Sequence, residues 1–408
     1  MMDCVSNNNG LVEPQPESEP IDGRNPTARQ WLAVASVALT ASIFCTTEFM
    51  PIGVLRYISE GLNVSEGTAG IMVTAPGLLA AIAAPALTVA VGRHDRRLVL
   101  LVFGALLAAS NFMGMVAPNF LVLIIGRILF GIGLGGFWAI GAGLGGRLVP
   151  EKSAAKATSI IFAGVSVGML VGGSAGALIG DLAGWRAAFG AALGLSILAF
   201  IAQLFFLPPL RVEQHVRPRD LLGILSTRNG KVGFIAMLFV LCGQFGTYTY
   251  ITPFLAQVSG FDGKSISSIL LGYTLIGLMG NFLGGAGAGR NPKLTLGATI
   301  LFFILPVLLL PVIGTWQAGT LAVLGIWGLA YGAMPIALQI WMVKAAPDIQ
   351  EGGMALFVAN FQTSIALGSF LGGQVVDSYG LLNAMNFGGG IAILSLAILW
   401  IFGRAVKP

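Results

Sequence analysis

Charge-poor apolar runs recur from one end of this chain to the other, and each is long enough to cross a bilayer as a helix. They fall at about 31–54, 66–91, 98–117, 119–146, 157–180, 187–208, 232–255, 265–289, 294–314, 317–343, 353–376 and 382–403. Hydrocarbon offers no partner to a backbone N–H or C=O, so such runs span as helices. Only 10% of the 408 residues are charged, where soluble domains carry roughly 25%. The expected fold is therefore an all-α membrane protein with twelve transmembrane helices.

Lys and Arg set the orientation. With the N-terminus in the cytoplasm, eighteen of them fall on the inner side and three, Arg56, Arg186 and Lys264, on the outer. Positive charge collects on the cytoplasmic side of membrane proteins, so both termini are expected there, and the net charge of +5 reflects topology rather than nucleic-acid binding. Residues 1–28 are polar, acidic and Pro-rich, without an apolar core segment, and read as a disordered cytoplasmic tail.

The loop at 209–231 is the longest between spans and separates two six-helix halves, 29–208 and 232–408. Gly92-Arg93 recurs as Gly289-Arg290 at an offset of 197, and Asp181 with Gly184 recurs as Asp377 with Gly380 at 196. A six-plus-six pseudo-repeat describes a transporter whose halves rock about a midplane site.

Glu48 is the one carboxylate clearly inside an apolar run. An acid at membrane depth costs about 2.5–3.5 kcal/mol and marks an ion or substrate pathway. Pro51, three residues on, lacks an N–H and crowds the carbonyl of Thr47, which opens the helix beside the acid. Arg127 is the one base left within a span; its acceptors are either Glu48 or the carbonyls opened by Pro51. Glu48 and Arg127 are thus the two candidate functional charges at membrane depth. Asp181 and Asp377, at outer helix ends, read as helix-end or loop-pairing residues.

Polar and aromatic side chains within spans are the pocket candidates: Thr46, Thr47, Trp138, Gln244, Tyr248, Tyr250, Asn281, Trp327, Tyr331, Gln339, Trp341, Asn360 and Gln362. Of these Thr47, Trp138, Gln244, Tyr248, Asn281, Tyr331, Gln339 and Asn360 are singled out for substrate binding. Amides, hydroxyls and ring faces without charge suit a neutral organic solute. Gly164, Gly168, Gly172, Gly176 and Gly180 form an i+4 row on one helix face, either a surface for another helix to slide on or static close packing. Gly131–Gly136 and Gly141–Gly146 match GxGxxG, but they lie inside an apolar span with no βαβ context, which excludes a dinucleotide site. The three cysteines lack paired or metal-ligand spacing, and His94 and His215 fall in charged loops. No nucleophile, metal cluster or histidine accompanies Glu48 at depth, so neither an enzyme nor a metal site is expected, and a channel has no need of the acid.

LIIGRILFGIGLGG (123–136) resembles the fourth-helix signature of the major facilitator superfamily, and the glycine row resembles the fifth-helix signature of its proton-driven antiporters, with Gly173-Ser174 where Gly-Pro is usual. GRHDRR (92–97) resembles the family's cytoplasmic gate motif at its basic end, Arg93, Asp95, Arg96 and Arg97, with Gly92 in place of an aspartate. TEFMPIGVL (47–55), GLNVSEGTAG (61–70), RLVPEKSAAKA (147–157) and GWRAAF (184–189) resemble the bacterial drug, sugar and nucleoside efflux branch. The resemblance implies a proton-driven exporter in a bacterial inner membrane, with Glu48 and Arg127 as its proton-coupling residues and no cofactor beyond the proton gradient; a monomer is expected. The substrates it implies are purine ribonucleosides and bases first, a hydrophobic drug or a sugar second.

Overall fold

The computed structural model describes residues 26–91, 94–141, 144–210, 225–345 and 351–404. Among these, twelve helices are long and apolar enough to cross a membrane. The first half holds α1 (Ala28–Leu62), α2 (Glu66–Ala90), α3 (Arg96–Val116), α4 (Phe120–Gly141), α5 (Glu151–Ala183) and α6 (Trp185–Phe206). The second holds α7 (Arg228–Tyr248, prolonged by Ile251–Gln257), α8 (Gly263–Arg290), α9 (Pro292–Ile313), α10 (Gln317–Ala345), α11 (Glu351–Tyr379) and α12 (Leu381–Phe402).

Several helices overrun the apolar runs that announce them. α1 continues through Arg56 and Glu60, an i,i+4 pair at 2.8 Å, and stops at Asn63 in the left-handed conformation. α5 begins at Glu151, directly after Pro150. Hydropathy marks the width of the hydrocarbon, whereas caps decide where the helix ends. α4 stops earlier than its apolar run, at Gly141, and a single turn, Gly145–Leu148, follows.

The glycine row on α5 lies against α1 of the same half. A side chain at Gly164, Gly168, Gly172 or Gly176 would strike the backbone of Ala38, Ser42, Thr46 or Met50, themselves four residues apart. The two helices thus run in register at backbone contact, and the row serves static packing rather than sliding between halves. The same joint recurs in the second half: Gly368 and Gly372 on α11 meet Cys242 and Gly246 on α7. Every member of these two contacts is displaced by 196 from Gly172, Gly176, Thr46 and Met50, which extends the repeat from sequence to packing. Ser174 donates to the Leu170 carbonyl at 2.7 Å, and α5 runs through this point without a proline.

The start of α1 and the end of α12 lie at one end of the bundle, here called terminal, since the passes alternate; the opposite end is here called distal. There the halves meet. Asp377, late in α11, accepts from the Gly67 N–H (3.0 Å) and the Ser65 hydroxyl (2.7 Å) at the start of α2. Asp181, late in α5, packs on Gly263 at the start of α8 and accepts from the Tyr57 hydroxyl at 3.1 Å. Each carboxylate sits where the first turn of a helix presents unpaired N–H groups and positive potential, a contact worth about 0.3–1 kcal/mol or more. Asp377→Ala is expected to loosen distal closure by about 1 kcal/mol, seen as roughly fivefold faster thiol labelling of a cysteine placed at Thr68.

Candidate functional site

The site is assembled by two prolines. In a regular helix the carbonyl of Thr47 would accept from residue 51 and that of Met72 from residue 76, but Pro51 and Pro76 have no N–H. Arg127 takes both: Nη1 donates to Thr47 O at 3.0 Å and Nε to Met72 O at 2.9 Å. Its guanidinium also covers the Phe130 ring at 4.4 Å, and the residue is 1% exposed. The fork of guanidinium donors suits two acceptors on different helices, so Arg127 fastens α4 to α1 and α2. Of the acceptors open to it in the sequence, the carbonyls win; Glu48 lies beyond ion-pair contact but within electrostatic reach.

Glu48 is instead bound by the other half. Gln362 Nε2, on α11, donates to Glu48 Oε1 at 2.9 Å. Both are buried, 8% exposed for Glu48 and 3% for Gln362. The seam between α2 and α11 runs from Gly67 and Gly373 at the distal end down to Gly77, which abuts the Gln362 carbonyl. The Glu48–Gln362 bond therefore stands near the deepest point of a seam closed on its distal side.

Beside it lies a cluster of rings in the second half. Tyr248, Tyr273 and Tyr331 have centroids 5.2–5.5 Å apart at shallow angles, and Trp327 stands edge-on to Tyr248 and Tyr273. Gln244 holds the arrangement, accepting from Trp327 Nε1 at 2.7 Å and donating to the Tyr273 hydroxyl at 3.3 Å. Tyr331 lies within electrostatic reach of Glu48. Tyr248 directs its hydroxyl toward Gly173 on α5, and the Thr252 hydroxyl donates across the seam to Ile52 O at 2.7 Å. Gln244→Leu leaves the Trp327 N–H and the Tyr273 hydroxyl buried without partners, at about 1–3 kcal/mol. A fall of several degrees in unfolding temperature, measured in detergent, is the expected result.

Other sequence candidates do different work. Asn281 is on the exposed face of α8 and is not brought to the seam. The Thr47 hydroxyl accepts from Asn111 Nδ2 at 3.2 Å, which also donates to Ser196 at 3.0 Å, a polar tie inside the first half. Asn360 donates to Phe234 O at 2.9 Å and fastens α11 to α7. Trp138 stands half-buried, edge-on to Phe137, and Gln339 is half-buried on α10. Tyr273, absent from the sequence candidates, is signalled there only by being a hydroxyl inside an apolar run.

Arg93 of the GRHDRR segment lies outside the described residues. Asp95 caps α3, accepting from the N–H groups of Arg97 (2.9 Å) and Leu210 (2.8 Å), while Arg97 Nη2 donates to Leu204 O at 2.8 Å. Asp95 and Arg97 thus brace α3 against the end of α6 within one half.

The Major Facilitator Superfamily model matches residues 35–368, most of the chain. The chain belongs to the major facilitator superfamily. Among its relatives within the superfamily are proteins named purine ribonucleoside efflux pump NepI, from Salmonella paratyphi A and Salmonella typhimurium. Each is 32% identical over 369 residues, covering 90% of this chain and 93% of the relative. Similar solved structures include a bacterial homologue of the human lysosomal transporter Spinster, inward-facing and unoccupied, with a TM-score of 0.75 at 15% identity over 92% of this chain and 97% of that one. The human organic anion transporter MFSD10 aligns with a TM-score of 0.63 at 16% identity over 92% of this chain and 100% of that one. Those two likenesses concern the fold alone.

Proposed function

We propose that this chain is a proton-coupled exporter of small neutral organic solutes, purine ribonucleosides foremost, in a bacterial inner membrane. The observation that carries the reading is the placement of Glu48: a buried acid of one half bound to the other half at the seam where they must part, in a chain whose relatives are named nucleoside efflux pumps. The excess of Lys and Arg in the loops at the terminal end supports a cytoplasmic location for that end. The conformation is then closed toward the outside.

In the cycle proposed, Glu48 takes a proton when the distal end is open. The halves rock, and the proton leaves to the cytoplasm as substrate enters. Arg127 by its charge favours ionised Glu48 and desolvation favours the neutral form, so the two rocking states tip a balance between opposed effects. The rings of Tyr248, Tyr273 and Tyr331 supply flat faces for a heterocycle, and their hydroxyls supply donors and acceptors for its polar edge.

The test is purified protein in proteoliposomes under an imposed pH gradient, offered labelled inosine or chloramphenicol. Gradient-driven inosine accumulation supports the proposal. Movement of chloramphenicol alone reassigns the substrate class, and inosine flux indifferent to the gradient removes proton coupling.

A further inference from the structure

Among the described residues, a buried acceptor at the seam is left over. Gln362 Nε2 is spent on Glu48, yet Gln362 Oε1 is buried without a hydrogen-bond partner. A buried acceptor left unsatisfied costs about 1–3 kcal/mol, so such groups are rarely left orphaned. An ionised Glu48 has no donor to offer; a protonated one has an O–H, adjacent to the bond already formed.

We propose that Gln362 is the residue that lets the second half read the protonation state of Glu48. A protonated Glu48 and the Gln362 amide form a two-point acid–amide pair that latches α1 to α11 with the distal end closed. In that pair Gln362 Nε2–H donates to Glu48 Oε1, and the proton on Glu48 Oε2 is donated to Gln362 Oε1. When the proton leaves Glu48 for water on the terminal side, Oε1 of Gln362 loses its donor and one of the two points is gone. The freed Gln362 Oε1, an acceptor, is then open to an N–H donor on the edge of a nucleobase. Proton and substrate would thus compete for one side chain, which is the condition for exchange of one for the other. This use of the amide rests on the exporter reading above; the latch does not.

Of the described titratable groups near Glu48, Arg127 on α4 is the one whose charge acts on it, while Cys45 on its own helix and Tyr331 on α10 are neutral groups within reach of its charge. The distal end also carries the carboxylates of Asp181, Asp377 and Glu66, which Glu48→Gln leaves in place while removing that of Glu48.

Spin labels at Glu60 and Lys264, both exposed at the distal end on opposite halves, report closure without any substrate. In the otherwise unaltered protein the closed population is expected to rise at acid pH by about tenfold, the worth of one buried hydrogen bond. In Gln362→Met, of similar volume but without the amide, and in Glu48→Gln, that response should be lost. The doubly substituted protein should likewise lack the pH response. Gln362→Asn, which keeps the amide on a shorter stem, guards against a folding defect and should respond weakly. A Gln362→Met protein that closes with acid as the parent does overturns the latch. Loss of the response with inosine transport absent in every variant, the parent included, overturns the substrate reading and leaves the latch standing.

Discussion

Glu48→Gln is expected to abolish gradient-driven accumulation while leaving the protein folded. The substitution keeps the shape of the side chain and keeps a carbonyl oxygen for Gln362 Nε2, so the cross-half bond at 2.9 Å can persist. What disappears is the proton. Among the described residues Glu48 is the one acid buried in the apolar spans, so no other carboxylate described at this depth can take over its charge. A carrier that no longer exchanges its cargo for a proton can equilibrate substrate across the membrane but cannot concentrate it. Accumulation under a pH gradient should therefore fall to the passive level, while substrate–substrate exchange at equal pH survives. Persistence of full accumulation in Glu48→Gln proteoliposomes would exclude this residue from coupling.

The second large effect concerns Arg127. Arg127→Met strips the donors from the carbonyls of Thr47 and Met72, which Pro51 and Pro76 have already deprived of helical partners. Two buried carbonyls without partners cost about 1–3 kcal/mol each, so a loss of about 4 kcal/mol is expected, read as a markedly lower unfolding temperature in detergent. Arg127→Lys should recover part of it, since an ammonium offers donors from a single point rather than a fork. Combining Arg127→Met with Pro51→Ala and Pro76→Ala returns a helical N–H to each carbonyl. Stability should return in that triple variant while transport does not, separating the brace from the charge. If the triple variant stays as unstable as Arg127→Met, the two carbonyls are not what Arg127 satisfies.

Much of this was legible before any coordinates. Lipid forces each apolar run into a helix, so the number of spans follows from counting runs. The lone acid, the lone base and the proline beside the acid each violate the apolar pattern, and all three meet at one place. Pro76 was equally visible, but its partnership with Arg127 depends on α4 facing α2, which no local pattern records. The pocket was harder to read because a helix in hydrocarbon is as apolar toward lipid as toward its neighbours, so no periodicity distinguishes Asn281, which faces outward, from Gln362, which faces Glu48. Gln362 stood in the sequence as one polar residue among many. It becomes singular only when α11 is laid against α1, more than 300 residues away in the chain.

The distal contacts carry a consequence beyond closure. Asp181 on Gly263 and Asp377 on Gly67 are the same contact made twice, each residue displaced by 196 from its counterpart. The first half gives its carboxylate to the second, and receives one at the matching place. That is the signature of an isologous interface, the kind found between identical subunits across a two-fold axis, where every bond is made in both directions by one shared patch. At these two contacts the seam of this single chain is built as a dimer interface is, with the two partners joined in one polypeptide. The linker between the halves then serves to keep partners together that already carry, each on its own surface, the complement of the other.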